Sequence, residues 1–214
     1  MAKSSNHIAV VDYGMGNLHS VSKALQKVSE GAKISVSGDK KVLSSADRIV
    51  FPGVGAIRDC MAEIKRRSLD VLIEEAIRTK PVLAICVGMQ ALVDHSEENG
   101  GIDCLGLLPG KVRLFKPEQT VGHLLKVPHM GWNHVHQSCP HHLWKGIQQQ
   151  CRFYFVHSYF VEISDPSLVS GLCHYGNQFV AAISQENLFA VQFHPEKSAN
   201  SGLRLLKNFV SWDI

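Results

Sequence analysis

The stretch PVLAICVGMQAL, residues 81–92, indicates the fold more clearly than any other part of the sequence. An apolar run ends at Cys86, a glycine follows at Gly88, and the next residues suit a helix. In an open α/β sheet, ligands bind beyond the carboxyl ends of the parallel strands, where such corners lie. The stretch therefore predicts a buried strand that places Cys86 at the functional edge of a sheet.

The segments that precede this stretch continue the same alternation. Short apolar runs at 7–13, 32–38 and 47–53 alternate with helical patterns at 18–30 and 56–80. Strands that alternate with helices predict crossover connections and a parallel sheet whose two faces are covered. We expect an open, mostly parallel α/β sheet flanked by helices.

The second half of the chain has a different pattern. From about residue 105, short alternating runs are separated by Gly, Asn, Asp and Pro, which predicts a β-rich and partly antiparallel C-terminal half. Leu203, Leu206 and Val210 lie at helical spacing and predict a closing helix. Because no internal repeat or flexible linker interrupts the chain, residues 1–214 are expected to form a single domain.

Composition and charge exclude several classes of protein. Apolar residues make up 45% of the chain and charged residues 19%, as in ordinary globular proteins. The formal charge is +3 and the basic residues are scattered, so no nucleic-acid partner is predicted. The N-terminus has no long apolar segment after its one lysine, and no window approaches the ~18 apolar residues of a membrane-spanning helix. We expect a cytoplasmic protein with no membrane partner.

The cysteines are also informative. Six are spread singly without a Cys-x-x-Cys pair, so neither a disulfide framework nor a thiolate zinc site is indicated. His134, His136 and the His141-His142 pair are residues of a metal-ligating type, but their spacing matches no known zinc pattern. The sequence has no P-loop and no dinucleotide-binding fingerprint. We predict neither a metal nor a cofactor.

Cys86 itself has two interpretations. Ala84 and Gly88, each two places away, resemble the small residues of a nucleophile elbow, where strand and helix pack tightly. A helix beginning after Cys86 would direct its N–H groups at the sulfur and stabilise the thiolate. The alternative is an ordinary buried cysteine. The catalytic interpretation therefore requires a base.

The segment LFAVQFHPEKS, residues 188–198, supplies a candidate base. Pro195 favours an extended His194, so the side chains of His194 and Glu196 are expected on the same side of the chain. The carboxylate could then orient one imidazole nitrogen while the other faces Cys86, as covalent catalysis requires. In isolation, the same residues also fit a polar strand end followed by a turn.

A third candidate feature is FPGVGA, residues 51–56, which also follows an apolar strand. Gly53 and Gly55 flank Val54 and would let its peptide turn, so that an N–H could serve an oxyanion hole. A tight loop without a function is the alternative. All three features lie at predicted strand ends, and this convergence favours an active site.

Cys86 in an Ile-Cys-Val-Gly-Met-Gln run, together with His194-Pro195-Glu196, resembles the class I glutamine amidotransferases over nearly the whole chain. Further motifs are similar to those of one branch, the glutaminase subunits of imidazole glycerol phosphate synthases: Met89-Gln90, DYGMGN (12–17), FPGVGA (51–56), PHMGWN (128–133) and FVHSY (155–159). The chain departs from the family pattern at Ala84, where glycine is usual, and at Val87, where leucine is frequent.

The resemblance implies a flavodoxin-like fold and a specific chemistry. Cys86 would attack the side-chain amide of L-glutamine, His194 would protonate the departing ammonia, and Glu196 would orient His194. The oxyanion would be held by the backbone N–H of Val87 and, after a peptide rearrangement, by that of Val54. The residues that match glutamine-binding positions of the family are Gly55, Gln90, Glu98, Ser158 and Tyr159.

The resemblance also implies a partner. Ammonia in neutral water is mostly ammonium and no nucleophile, and the sequence offers no acceptor site of its own. The family partner is a TIM-barrel cyclase subunit, which forms a heterodimer with the glutaminase and serves histidine biosynthesis. Asn17, Trp132, Tyr154 and Lys197 match docking positions, although the two aromatics also fit a core and the two polar residues a solvated surface.

Other functions remain open at the level of sequence. A cysteine hydrolase could use the same triad on a similar scaffold, although Gln90 and the PHMGWN segment speak against it. A related amidation pathway with duplicated subunits could use the same glutaminase. A regulatory or binding protein could keep the triad without doing chemistry.

Overall fold

The computed structural model describes residues 6–116, 119–120 and 123–214. Residues 1–5, part of the N-terminal stretch considered above, lie outside the described residues. The α-helices are α1 (Leu18–Val28), α2 (Lys40–Ser45), α3 (Ile57–Arg66), α4 (Asp70–Thr79), α5 (Val87–Gln90) and α6 (Ala199–Val210). Short 3-10 turns lie at Glu98–Gly100, His142–Trp144, Pro166–Leu168 and Pro195–Lys197.

The strands fall in two groups along the chain. The first group is β1 (His7–Val11), β2 (Lys33–Ser37), β3 (Arg48–Gly53), β4 (Val82–Cys86), β5 (Val93–Ser96), β6 (Ile102–Asp103), β7 (Leu108–Leu114), β8 (Gln119–Thr120) and β9 (His123–Leu124). The second is β10 (His129–His134), β11 (His136–Gln137), β12 (Arg152–His157), β13 (Tyr159–Ile163), β14 (Val169–Tyr175), β15 (Asn177–Gln185) and β16 (Leu188–Val191).

One large sheet organises the chain. Its order is β2-β1-β3-β4-β16-β15-β13-β7-β5-β6, with β14 and β11 branching from β15. The half from β2 to β16 is parallel, whereas β16, β15, β13 and β7 pair antiparallel. Strands β10 and β12 form a separate antiparallel pair. The predicted parallel α/β sheet and β-rich second half are confirmed.

The parallel half forms the core because its strands are covered on both faces. Every residue of β1, β3 and β4 is buried, which explains why these strands are continuous apolar runs. Helix α1 buries Val21, Ala24 and Leu25. The predicted closing helix is α6, and it lies against α1. The carboxyl ends of β3 and β4 meet at one edge, where Gly53 pairs with Cys86.

The helical pattern at 56–80 forms two helices rather than the one expected. The break lies at Ser68, whose φ is 49°, between α3 and α4. The N–H of Leu69 donates to the Ile64 carbonyl at 2.9 Å, the six-to-one bond of a helix that ends in a left-handed residue. Leu69 is fully buried, so apolar periodicity continues across the break and conceals it.

Two further helices differ from expectation. Helix α2, which the sequence analysis did not predict, begins after Asp39, whose carboxylate accepts from the Lys41 N–H at 2.7 Å. It was missed because Leu43 is the one residue it buries. The helix predicted after Cys86 is present but short: α5 has four residues, and the chain then enters β5. A single turn has a weak dipole, so helix polarity contributes little at Cys86.

Gly202 is required where α6 passes the Pro195–Lys197 turn, because an added Cβ would lie 1.9 Å from the Pro195 carbonyl oxygen. We predict that Gly202→Ala lowers the free energy of unfolding by about 1–3 kcal/mol, since the overlap outweighs the ~1 kcal/mol that alanine gains in a helix. Denaturant unfolding measures this. Ser201→Ala, one residue earlier on the same helix, is the control and should be nearly neutral. Equal stability of Gly202→Ala and the wild type would contradict the prediction.

Candidate active site

Cys86 occupies a strained corner between β4 and α5. Its backbone has φ 56° and ψ −113°, a region that non-glycine residues rarely adopt. The residue is 4% exposed, and that exposed fraction opens into a cavity at the carboxyl edge of the sheet. The strand-to-helix corner predicted from the sequence is therefore present.

Glycines make this corner possible through close packing. A Cβ on Gly88 would lie 2.2 Å from the Phe51 carbonyl oxygen, and one on Gly53 would lie 2.7 Å from the Gly88 nitrogen. Of the two glycines around Val54, Gly55 has a positive φ of 93°, whereas Gly53 serves the packing. The backbone freedom expected of both glycines is thus found at Gly55 alone.

His194 and Glu196 form a buried pair. The distance from His194 Nδ1 to Glu196 Oε1 is 2.8 Å, and the side chains are 2% and 1% exposed. His194 is extended, with φ −102° and ψ 98°, as a residue before proline should be. The chain then turns into the 3-10 segment Pro195–Lys197, so the two side chains meet across a turn and not along an extended segment.

The protonation of His194 depends on two neighbours. Burial acts to lower the pKa of His194, but the charge of Cys86 and the Glu196 carboxylate outweigh it and raise the pKa to about 10. Among the described residues, His194 Nε2 has no hydrogen-bond partner, and it lies at the same cavity as Cys86. His194 is therefore a protonated donor at neutral pH, and the stability it contributes is complete below pH 6.5 and lost toward pH 10.

The cavity at this edge has a volume of about 510 Å³, within the range of small-molecule sites. The predicted site residues that line it are Val54, Gly55, Cys86, Val87, Gln90, Glu98, Ser158, Tyr159 and His194. Asn17 and Lys197, predicted at the docking face, line it as well. Glu196 lies behind His194, and Trp132 and Tyr154 lie outside the lining.

Glu98 supplies negative charge to the cavity. Its Oε2 accepts from the Ile57 N–H at 3.4 Å, and burial raises the pKa of its carboxyl. Within the part of the chain that the structure describes, no cation forms an ion pair with Glu98. The carboxylate is therefore suited to an ammonium group of a ligand.

Gln192 was missed by the sequence analysis, although it contacts the candidate nucleophile. Its Nε2 lies 3.7 Å from Cys86 Sγ, and its Oε1 accepts from Gln90 Nε2 at 3.0 Å. Gln90 Nε2 also donates to the Tyr159 carbonyl at 2.9 Å. One feature of the sequence could have predicted Gln192 as a site residue. It is a polar residue two places before His194 in an alternating run, where residues two apart lie on the same face.

Two buried histidines support the segment that carries Ser158 and Tyr159. His157 Nδ1 lies 2.8 Å from the Tyr159 carbonyl oxygen, and His157 Nε2 lies 3.0 Å from His129 Nδ1. Burial lowers the pKa of His157 to about 3 and that of His129 to about 4, so both rings are neutral. Both histidines lie in the quoted motifs PHMGWN and FVHSY, but their spacing gives no sign that the two rings meet.

These neutral histidines should make the protein sensitive to acid. The unfolded histidines bind protons below about pH 6.5, whereas the folded ones do so only near pH 3–4, so stability falls as the pH drops through this window. We predict that the free energy of unfolding falls less steeply between pH 6 and 4 in His157→Gln than in the wild type. The difference in slope should be up to about 1.4 kcal/mol per pH unit. Denaturant unfolding at several pH values tests this, with the exposed His19→Gln as control. Equal slopes for His157→Gln and the wild type would refute the prediction.

An exposed aromatic surface lies on the β10 and β12 pair. Trp132 is 48% exposed, and its ring centroid lies 6.1 Å from that of Tyr154. Lys197 Nζ lies 5.9 Å from the Tyr154 centroid, which connects the surface to the cavity lining. Met130, which is 63% exposed, lies two residues before Trp132 on the same face of β10. It was not predicted as part of this surface. An exposed apolar patch of this kind is typical of a protein interface.

The remaining predictions concern metals, disulfides and membranes. Across the residues described, no three or more His, Cys, Asp or Glu side chains form a group that could hold a metal ion. The six cysteines are free thiols. Of the helices described, none is both long and apolar enough to cross a membrane.

The fold and site define a class of enzyme, and comparison with known proteins identifies it. The family model for class-I glutamine amidotransferases matches residues 9–212, so the chain belongs to the class I glutamine amidotransferases. It is 58% identical to the imidazole glycerol phosphate synthase subunit HisH of Pseudomonas putida, over 96% of this chain and 97% of that protein. The subunit HisH 1 of Pseudomonas aeruginosa is 59% identical, with the same coverage. HisH of Acinetobacter baylyi is 57% identical over 97% of this chain and 98% of that protein.

Solved structures support the fold assignment. A putative GMP synthase protein from Thermoplasma acidophilum matches with a TM-score of 0.70 and 21% identity, covering 97% of this chain and 94% of that one. The structure of PurLQS from Thermotoga maritima gives a TM-score of 0.74 and 18% identity, covering 97% and 99%. At these identities the similarity concerns the fold alone.

Proposed function

We propose that this chain is the glutaminase subunit of an imidazole glycerol phosphate synthase. It hydrolyses L-glutamine to glutamate and ammonia and delivers the ammonia to a cyclase subunit. The observation that carries the proposal is the meeting of Cys86 and the buried His194–Glu196 pair at one cavity, in a chain similar to HisH subunits over nearly its full length.

The proposed chemistry follows from this arrangement. The Cys86 thiolate attacks the amide carbon of glutamine, and the carbonyl electrons move to oxygen, which the backbone N–H of Val87 and a rearranged Val54 peptide stabilise. The tetrahedral intermediate collapses, the C–N bond breaks, and His194 gives its proton to the leaving ammonia. His194 then removes a proton from water, which attacks the thioester and restores the thiolate. Glu196 holds the ring throughout.

The substrate contacts are part of the same proposal. Glu98 would bind the ammonium group of glutamine, since its partly buried carboxylate faces the cavity. Gly55, Gln90, Ser158 and Tyr159 would form the remaining walls. A cavity with one unpaired carboxylate suits a small amino acid better than a peptide, which speaks against the alternative of a cysteine hydrolase.

We propose that the partner is a TIM-barrel cyclase subunit that docks beside the cavity mouth. Asn17 and Lys197 at the lining, with the exposed Trp132 and the neighbouring Tyr154, support this position. The partner would convert ammonia and an open-chain ribulosyl nucleotide to imidazole glycerol phosphate and an aminoimidazole carboxamide ribotide, in histidine biosynthesis. The free cysteines suit a reducing cytoplasm, and residues 1–214 would act as one domain.

Replacing the nucleophile tests the proposed activity. We predict that Cys86→Ala lowers glutamate release by about 10⁴-fold or more, while fold and partner binding persist, because the sulfur forms the covalent bond. Glutamate release by the copurified complex with the cyclase subunit is the measurement. Cys151→Ala, outside the cavity lining, should keep full activity. Activity of Cys86→Ala within about tenfold of the wild type would exclude the assignment.

Partner control tests the role of the 51–56 loop. We predict that the isolated chain is a poor glutaminase, and that Val54→Pro lowers partner-stimulated hydrolysis by about 10²–10³-fold with binding retained, because proline removes one oxyanion donor. Val54→Ala keeps the N–H and serves as the control. Steady-state rates with and without the ligand-loaded partner measure both effects. Full stimulation of Val54→Pro, or equal rates for the wild-type chain alone and in complex, would contradict the hypothesis.

A further inference from the structure

Gln192 follows β16 and lies between Gln90 and Cys86. The residue is fully buried, and its backbone N–H donates to the Ala181 carbonyl at 2.9 Å, which fixes it to β15. Its Nε2 lies 3.7 Å from Cys86 Sγ, and its Oε1 lies 3.0 Å from Gln90 Nε2. The chemistry proposed above gives this amide no role.

The hydrogen bonds around Gln90 fix which end of the Gln192 amide faces the sulfur. The Tyr159 carbonyl oxygen can only accept, so the Gln90 atom bonded to it at 2.9 Å must be nitrogen. The same nitrogen contacts the Gln192 amide, and the atom it contacts is therefore oxygen. The remaining NH2 group is directed at Cys86 Sγ. These donors and acceptors permit a single assignment of the two amide groups.

The sulfur needs such a donor because of its surroundings. Cys86 is 4% exposed, so its sulfur has little access to water and takes its hydrogen bonds from protein groups; the titratable groups that face it are the protonated His194, Tyr13 and Cys60. Helix α5 has one turn and gives little dipole stabilisation. A hydrogen bond donated to a charged group favours the charged form, so an N–H aimed at the sulfur favours thiolate over thiol.

We propose that Gln192 is a further catalytic residue: it donates a hydrogen bond to Cys86 Sγ and thereby keeps the sulfur as thiolate, while Gln90 fixes the direction of the donor. This inference rests on Cys86 as the nucleophile of the proposed function.

The Gln192 hydrogen bond acts in two steps of the reaction, the attack by the sulfur and its later departure. In the attack, the S–C bond forms and the negative charge passes from sulfur to the oxyanion, so the bond from Gln192 weakens. In thioester hydrolysis, the C–S bond breaks and the electron pair returns to sulfur, where Gln192 stabilises the departing thiolate. Gln192 neither gains nor loses a proton in either step.

Alkylation of Cys86 by iodoacetamide tests the inference, because the thiolate is the reacting species. The rate is measured from pH 5 to 10 by mass spectrometry of the Cys86 peptide, on the full chain without glutamine or partner. In Gln192→Met, which removes the donor at similar volume, we expect alkylation about tenfold slower at pH 7 and a rate equal to the wild type at high pH. The midpoint of the profile should move to higher pH.

A second variant and a control complete the experiment. In Gln192→Glu, one oxygen still accepts from Gln90 and the other places negative charge at the sulfur, so the midpoint should move at least as far. Gln185→Met, at the exposed end of β15, should leave the profile unchanged. The inference is overturned if either folded Gln192 variant keeps the wild-type profile, or if alkylation slows by the same factor at every pH, which indicates altered access.

The alkylation test is independent of the proposed substrate. A shifted profile together with an inactive glutaminase assay would retain Gln192 as the donor and reject glutamine hydrolysis. An unshifted profile with full wild-type glutaminase activity would reject the role of Gln192 and leave the proposed function intact.

Discussion

The left-handed backbone of Cys86 is the constraint on which the cavity depends. A residue in such a conformation costs on the order of 1–3 kcal/mol and persists where the surrounding structure enforces it. Here the enforcement is the contact of Gly88 with the Phe51 carbonyl, where a Cβ would approach to 2.2 Å, and the pairing of Gly53 with Cys86 across β3 and β4. Because these strands are buried throughout, the packing of the core fixes the position of the sulfur.

His194, the proposed base, is held by a different set of bonds, which connect it to the exposed aromatic surface. The His194 N–H donates to the Tyr154 carbonyl at 2.9 Å, and Ser198 Oγ accepts from the Tyr154 N–H at 2.9 Å and donates to the His194 carbonyl at 2.6 Å. The Tyr154 ring faces Trp132 on the outer side. A partner that docks on these rings would therefore contact the strand that positions His194, which gives a physical basis for control of the proposed glutaminase by its partner.

Much of this arrangement could be predicted from the sequence, because local patterns report burial and backbone geometry. Continuous apolar runs predicted the parallel strands, and Pro195 predicted an extended His194, as found. Small residues around Cys86 predicted the tight corner, which the contact of Gly88 explains. The single helix expected at 56–80 was wrong because the apolar periodicity passes through Ser68, where the chain changes direction without a glycine or proline to mark it.

The sequence by itself determined which residue types are available at the strand ends: a cysteine, a histidine with a nearby carboxylate, and a glycine-rich loop. Only the tertiary structure decided which of them meet, because β4 and β16 are adjacent in the sheet although about a hundred residues separate them in the chain. The same long-range pairing places Gln192 against Cys86, and the separate pairing of β10 with β12 brings His129 and His157 together. Contacts across the sheet follow from strand order, and strand order is set by the packing of the whole core, which no local pattern encodes.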